Sequence, residues 1–181
     1  MPRGELKVSP EIPRAVVEGL ELLRSRLGVP IGFPGDVLAE AENLRKDPPS
    51  FPRHADRTAV ELVTVDPASS KDLDQAVRIE RSGSGYRVHY AIVDVAAWVG
   101  PGSALEAEAR RRGETLYAPG AKVPLYPDSF SEEIGSLLAD GRPRPAVLWT
   151  HDLDADGVPT GVGVERALVR SHAKLSYEEV Q

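Results

Sequence analysis

The stretch Val65-Asp66-Pro67-Ala68-Ser69-Ser70-Lys71-Asp72-Leu73-Asp74-Gln75-Ala76 organises this chain. Its three carboxylates, Asp66, Asp72 and Asp74, follow the pattern D-x5-D-x-D directly after the β-branched run Val63-Thr64-Val65. A strand that opens into a carboxylate loop suits a hard cation. Magnesium takes oxygen ligands, keeps several of its waters and needs few protein carboxylates. An acidic surface loop is the plain alternative, and spacing alone leaves both readings open.

Working outward, Glu61 to Val65 reads as the strand that feeds the loop, and Gln75 to Glu80 as the strand that leaves it. Tyr86 to Val95 reads as a longer strand, joined to the previous one by a hairpin turn at Ser82-Gly83-Ser84-Gly85. No helix follows those glycines, so they do not form a phosphate loop. The run Tyr90-Ala91-Ile92-Val93-Asp94-Val95 is largely apolar and predicts a strand buried on both faces. Asp94 then falls in or near the core, where a carboxylate needs partners or a function. A hydrogen-bonded structural acid is preferred over a role supporting the Asp66–Asp74 loop.

Upstream, residues 1–10 lack periodicity and read as a flexible lead-in. Ile12 to Leu27 fits an amphipathic helix with Val16, Leu20, Leu23 and Leu27 on one stripe and Gly28 as its stop. A second helix is expected from Asp36, as N-cap, to Arg45, with Val37, Leu38, Ala41 and Leu44 apolar. Lys46-Asp47-Pro48-Pro49-Ser50-Phe51-Pro52-Arg53 cannot continue a helix. It reads as a connector rather than a polyproline ligand and divides the chain into residues 1–53 and 54–181.

Downstream, Ser103 should cap a helix from Ala104 to Arg112 that ends at Gly113. Arg110-Arg111-Arg112 reads as a solvated face with favourable helix-end electrostatics; phosphate binding is the alternative. Thr115 to Gly120 suggests a short strand and turn, and Ser131 to Leu138 a helix. Pro145 to Leu153 and Val162 to Ser171 read as a strand pair, and Lys174 to Gln181 as a helix start. Asp152-Leu153-Asp154-Ala155-Asp156-Gly157 matches half of a calcium loop, but position twelve is Gly163 instead of Glu, so a hairpin turn is expected.

Bulk properties narrow the function. The 181 residues suffice for one good-sized domain, and the absence of Cys excludes disulfides and thiolate zinc sites. No leader and no apolar run of membrane-spanning length occur, so a soluble cytoplasmic protein is expected. A net charge of −6 argues against a simple basic nucleic-acid binder, though not against a nuclease with local phosphate contacts. The four His show no metal-binding spacing, and no Walker loop, nucleophile elbow or internal repeat is present.

The order of the motifs carries more than any one of them. V-T-V-D-P-A-S-S-K-D-L-D-Q-A is followed by Y-A-I-V-D-V, then P-G-S-A-L-E-A-E-A-R-R-R-G-E-T-L-Y-A-P-G, then R-S-H-A-K-L-S-Y-E-E-V. From about Asp56 to Gln181 this series resembles the catalytic RNB domain of the ribonuclease II/ribonuclease R exoribonucleases. The helical segment before Pro48 is similar to the short N-terminal extension of actinobacterial-type members. The resemblance implies an α+β fold with a mixed or antiparallel sheet and short helices. It implies processive, Mg²⁺-dependent 3′-to-5′ hydrolysis of single-stranded RNA to nucleoside 5′-monophosphates.

The family's metal site has the pattern D-x5-D-x-D-D. Asp66, Asp72 and Asp74 match three of its positions, Asp74 being the one expected to face water or phosphate, and Gln75 stands at the fourth. A family aromatic that stacks at the RNA 3′ end falls on Tyr117; the alternative is an ordinary half-buried strand aromatic. Gln75 brings no charge to a site where one is worth ~8 kcal/mol gross against a divalent ion at ~4 Å, before desolvation offsets most of it. Weaker binding of one metal is expected. The sequence also stops well short of a full RNB domain, whose later half carries a family arginine, much of the RNA channel and usually a following S1 domain. An RNA-binding or regulatory module with weakened hydrolysis is therefore the second reading, and a purely structural domain the third.

Overall fold

The computed structural model describes residues 14–30, 32–118 and 121–181; the expected lead-in over residues 1–10 lies outside them. Helices α1 (Arg14–Arg26) and α2 (Gly35–Lys46) come first. Strands β1 (Ala55–Asp56), β2 (Leu62–Val65), β3 (Gln75–Ser82) and β4 (Gly85–Val93) follow. Helices α3 (Val95–Trp98) and α4 (Ala104–Arg112) precede the hairpin β5 (Leu116–Ala118) and β6 (Ala121–Val123). A π-helical turn (Phe130–Ile134) leads to β7 (Arg144–Leu153), β8 (Pro159–Val169), β9 (Ser171–Leu175) and α5 (Tyr177–Val180).

The main sheet has the order β1-β8-β7-β4-β3-β2-β9. It is mixed: β1 runs parallel to β8 and β2 parallel to β9, while the other neighbours are antiparallel. The α+β expectation holds. Side chains alternate across the sheet. Ala76, Ala91, Val93, Ala146, Leu148, Ala167 and Val169 share one face and form a buried core with Leu62 and Leu137. On the opposite face Ile79, Ile92, Trp149, Val162 and Val164 are exposed. A second core joins Val37 and Ala41 of α2 to Trp98, Val99, Leu105, Phe130 and Ile134.

Several local expectations change. The apolar stripe of α1 is not buried: Val16, Leu23 and Leu27 are exposed and no residue of the helix is buried. Pro34 rather than Asp36 occupies the N-cap of α2, and Asp36 lies in the first turn, where its carboxylate accepts from the Val37 amide. β4 ends at Val93, one residue before Asp94, because the chain turns into α3; Ile92 on this strand is exposed, so the strand is not buried on both faces. The expected helix over Ser131–Leu138 is a π-helical turn that starts one residue earlier. Ser171 to Leu175 is a strand, since it finds β2 as a parallel partner, and only Tyr177 to Val180 is helical.

Two expectations hold in detail. The Ser103 hydroxyl accepts from the Glu106 amide and caps α4, and Gly113 ends it with φ 79°. The β3–β4 hairpin turns at Gly83 with φ 61°. Gly85 has a separate constraint: a methyl group there would sit 2.0 Å from the Leu153 carbonyl oxygen of β7. Gly85→Ala must push these strands apart. We expect it to destabilise the fold by about 1–3 kcal/mol, the usual cost of overpacking, as a lowered urea midpoint.

Candidate metal centre

The acid loop is tied down at both ends and in its middle. At the β2 end, the Asp66 amide donates to Leu175 O of β9 at 3.0 Å. Lys174, also on β9, sends its ammonium back under the loop to Ala68 O at 2.9 Å and Ser70 O at 2.5 Å. At the β3 end, the Val93 amide of β4 donates to Asp74 O at 3.0 Å. Between the last two acids, Leu73 is buried at 2% exposure. With Leu73 anchored inward, its neighbours Asp72 and Asp74 project the other way.

Both acids line a cavity of about 350 Å³, together with Gln75. Its apolar walls include Ile92, Val95, Leu125, Tyr126 and Phe130. The β5–β6 hairpin stands beside it. Lys122 of β6 also lines the cavity and donates to Asp72 Oδ2 at 2.8 Å. Directly across the hairpin from Lys122 is Tyr117, with 76% of its surface exposed. Cross-strand partners share a face, so aromatic ring and ammonium are presented together. A larger cavity of about 470 Å³ adjoins through Lys122, but it contains neither Asp72 nor Asp74.

Charge in the loop is unevenly distributed. Burial would raise the Asp72 pKa, but the Lys122 ammonium and nearby amides outweigh it and hold the carboxyl below its ordinary value of 3.8. The hydrogen bond to Asp72 raises Lys122 in turn. Asp74 goes the other way. Burial first, then the negative charges of Asp72 and Asp66, push it above 3.8, and Lys122 only partly opposes them. The Asp74 side chain touches solvent, yet enough protein surrounds it to disfavour its charge.

Asp72 and Asp74 are thus brought together at one cavity, and Asp66 is near enough to act on Asp74 by charge. Among the described residues, however, no three His, Cys, Asp or Glu side chains converge closely enough to enclose one ion. The Gln75 amide oxygen is taken by the Tyr90 hydroxyl. Asp72 and Asp74 offer the hard oxygen donors that suit a Mg²⁺ held by one or two carboxylates and its own waters, with Lys122 on Asp72 Oδ2 as the cation that such an ion would displace. The donor set fits such an ion.

Comparison with known proteins bears on this geometry. A family model described as "RNB domain" matches residues 55–181. The chain belongs to the RNB-domain family. This RNB chain is 34% identical over 163 residues to ribonuclease R of Acidithiobacillus ferrooxidans, covering 89% of the chain and 37% of that protein. It is 40% identical over 127 residues to exoribonuclease 2 of Erwinia tasmaniensis, covering 69% of the chain and 20% of that protein. The apo structure of Mycoplasma genitalium RNase R superposes with a TM-score of 0.80 at 26% identity, covering 91% of the chain and 26% of RNase R. That enzyme is also known in complex with ribose-methylated single-stranded RNA, with the same TM-score of 0.80. The RNB chain therefore spans about a third of one curated relative and a fifth of the other.

Other sequence candidates settle into structural roles. Asp94 is 5% exposed; its Oδ1 accepts from Arg166 Nη2 at 3.3 Å, its Oδ2 lies 2.9 Å from Arg166 Nε in an ion pair and His54 Nε2 is 3.0 Å away, so it is a partnered structural acid. Asp154 closes a β7–β8 hairpin turn by accepting from the Asp156 and Val158 amides. The arginine run divides: Arg110 is exposed, but the Arg112 side chain is 2% exposed and bonded to Glu108, so the solvated-face reading fails there. Lys122 and Lys174 escaped the sequence reading. Lys122 was missed because its place opposite Tyr117 depends on the pairing of β5 with β6.

Proposed function

We propose that this chain supplies the metal-binding part of an exoribonuclease that hydrolyses single-stranded RNA from 3′ to 5′ in the presence of Mg²⁺ and releases nucleoside 5′-monophosphates. The observation that carries the proposal is the cavity shared by Asp72, Asp74 and Lys122, with the Tyr117 platform on the same hairpin. Family membership supports the reaction class. A cavity of about 350 Å³ suits one terminal nucleotide better than a base pair. No described helix is long and apolar enough to cross a membrane, and we place the activity in the cytoplasm.

Bound Mg²⁺, held by Asp72 and Asp74 with Asp66 adding negative charge, would supply Lewis-acid stabilisation of the phosphoryl oxygens and a nucleophilic water. The chain's own residues do the rest. Tyr117 stacks on a base and holds the RNA end without reading its sequence. Lys122 exchanges the Asp72 carboxylate for a phosphate oxygen as RNA arrives. Asp74 orients the attacking water. The apolar walls keep other water away from the reacting phosphate. A water oxygen–phosphorus bond forms, the phosphorus–O3′ bond breaks, and the leaving 3′ oxygen is protonated.

The test incubates the chain with 3′-labelled and 5′-labelled single-stranded RNA and Mg²⁺, alone and joined to the remainder of an RNB domain. Mononucleotides should appear first from the 3′ label. If neither form gives metal-dependent cleavage, the enzyme reading fails. An RNA-binding module with lost hydrolysis is the second reading, favoured by the engagement of the Gln75 oxygen with Tyr90; it predicts RNA retention without cleavage.

Tyr117→Ala isolates the platform. The exposed ring is a stacking partner worth about 1–3 kcal/mol, so RNA affinity should fall about 5- to 150-fold in fluorescence anisotropy. Tyr117→Phe should retain most of it. Equal affinity of Tyr117→Ala and the parent would remove Tyr117 from the RNA path.

A further inference from the structure

Ser136 lies outside the acid motif, two residues beyond the π-helical turn, and is fully buried at 0% exposure. Its Oγ accepts from the Leu73 amide at 2.7 Å and donates to Lys71 O at 3.3 Å. One hydroxyl thus bridges the two peptide groups on either side of Asp72. The next residue adds a third bond: the Leu137 amide donates to Leu73 O at 2.8 Å. Leu73 and Leu137 are 2% and 1% exposed, so the clamp is sealed in apolar surroundings. A backbone amide buried there needs a partner. Leu137 belongs to the buried core under the sheet, so the clamp ties the loop to that core.

We propose that Ser136 is a positioning residue for metal binding. It fixes the backbone at Lys71 and Leu73 so that Asp72 and Asp74 are aimed into the cavity before an ion arrives. Groups that hydrogen-bond behind a metal site commonly set affinity by 10- to 100-fold through the orientation of the ligands. Here the hydroxyl acts on the ligand's backbone rather than on its carboxylate. The inference rests on the metal reading of Asp72 and Asp74 above.

The experiment measures Mn²⁺ binding to the whole folded chain by electron paramagnetic resonance, with Mg²⁺ as competitor. Three proteins are compared: wild type, Ser136→Ala and Val169→Ala, the last a core truncation remote from the acids. Ser136→Ala should weaken Mn²⁺ binding about tenfold or more, whereas Val169→Ala should lower the melting temperature and leave affinity within about twofold. Equal affinity of Ser136→Ala and wild type overturns the inference, as does an equal loss in Val169→Ala, which would mark a general stability effect. Failure of the wild type to bind Mn²⁺ overturns the underlying metal reading, and the inference with it.

Should Ser136→Ala not fold, hydrogen exchange on the wild type decides. The Leu73 amide should exchange at least about 100-fold more slowly than the amide of Ser69 in the same loop, and Mg²⁺ should slow it further. A Leu73 amide that exchanges as fast as Ser69, or that ignores Mg²⁺, overturns the inference.

Discussion

If the proposed function is right, Asp74→Asn should lower Mg²⁺-dependent nucleotide release by about 10²–10³-fold and leave RNA affinity within about threefold. The amide keeps the size of the side chain but removes the charge that, on the proposed reading, would bind the ion and orient water. Single electrostatic groups of this kind are worth about 10²–10³ in rate. Burial and the charges of Asp72 and Asp66 already hold this carboxyl above its ordinary pKa of 3.8. Protons therefore compete with the metal above pH 3.8, and Mg²⁺ affinity should decline as pH falls toward that range. A single-turnover assay with end-labelled RNA checks the rate, and calorimetric titration across pH checks the competition.

The same raised pKa has a thermodynamic consequence of opposite sign. Between 3.8 and the raised value the native state binds more protons than the unfolded state, so Asp74 costs stability as pH rises through that window. Above it the full penalty persists at neutral pH. Asn does not ionise, so metal-free Asp74→Asn should melt at a higher temperature than metal-free wild type near pH 7. Mg²⁺ should stabilise the wild type more than the variant. A variant that melts lower would show that Asp74 carries no such penalty. A side chain kept at a cost to stability is characteristic of a functional position.

Glu108→Ala should lower the free energy of unfolding by about 3–5 kcal/mol, the cost of stranding a buried charge. Glu108 and the Arg112 side chain are 6% and 2% exposed, and Arg112 Nε lies 2.7 Å from Glu108 Oε1. Arg111 binds the same carboxylate at 2.6 Å. Arg112 also donates to Pro124 O at 3.0 Å and to Gly32 O, with its guanidinium 3.8 Å from the Phe33 ring centroid. It ties α4 to the segment before α2 and to the chain that lines the cavity. Removing Glu108 leaves that guanidinium buried without its counter-ion.

Glu108→Gln, which keeps an acceptor, should cost less than Glu108→Ala. Hydrogen bonds from Arg111 and then Arg112 outweigh burial and hold Glu108 below its ordinary value of 4.5. Its stabilising effect is therefore fully present above pH 4.5 and is lost as pH falls through the lowered value. Urea denaturation of both variants at neutral and acidic pH reads all of this.

The local code of the chain was legible where residues answer to near neighbours. The β-branched run before Asp66, the hairpin at Gly83, the Ser103 cap and the Gly113 stop each depend on a few adjacent positions, and each stands in the fold. That Asp72 and Asp74 share a side follows from the burial of Leu73 between them, which only the folded chain shows. Arg112 misled because its neighbours in sequence are exposed arginines, while its environment comes from Glu108, Phe33 and Pro124. Ser171 to Leu175 read as a strand end and helix start because its partner, β2, lies more than a hundred residues earlier.

By itself, then, the sequence determined which residues can bear the chemistry: the spacing D-x5-D-x-D after a strand, a tyrosine before a turn, and the order of motifs that marks the family. The tertiary structure decided how they are arranged. It put Lys174 beneath the loop, Ser136 behind Asp72, Lys122 on Asp72 and Tyr90 on Gln75. These contacts span 15 to 106 residues of chain, and they exist only in the folded molecule, where distant segments pack together. The physical reason is the range of the forces involved. Backbone propensity acts over a turn, whereas the pKa of Asp74 and the aim of Asp72 answer to whatever the folded chain packs against them.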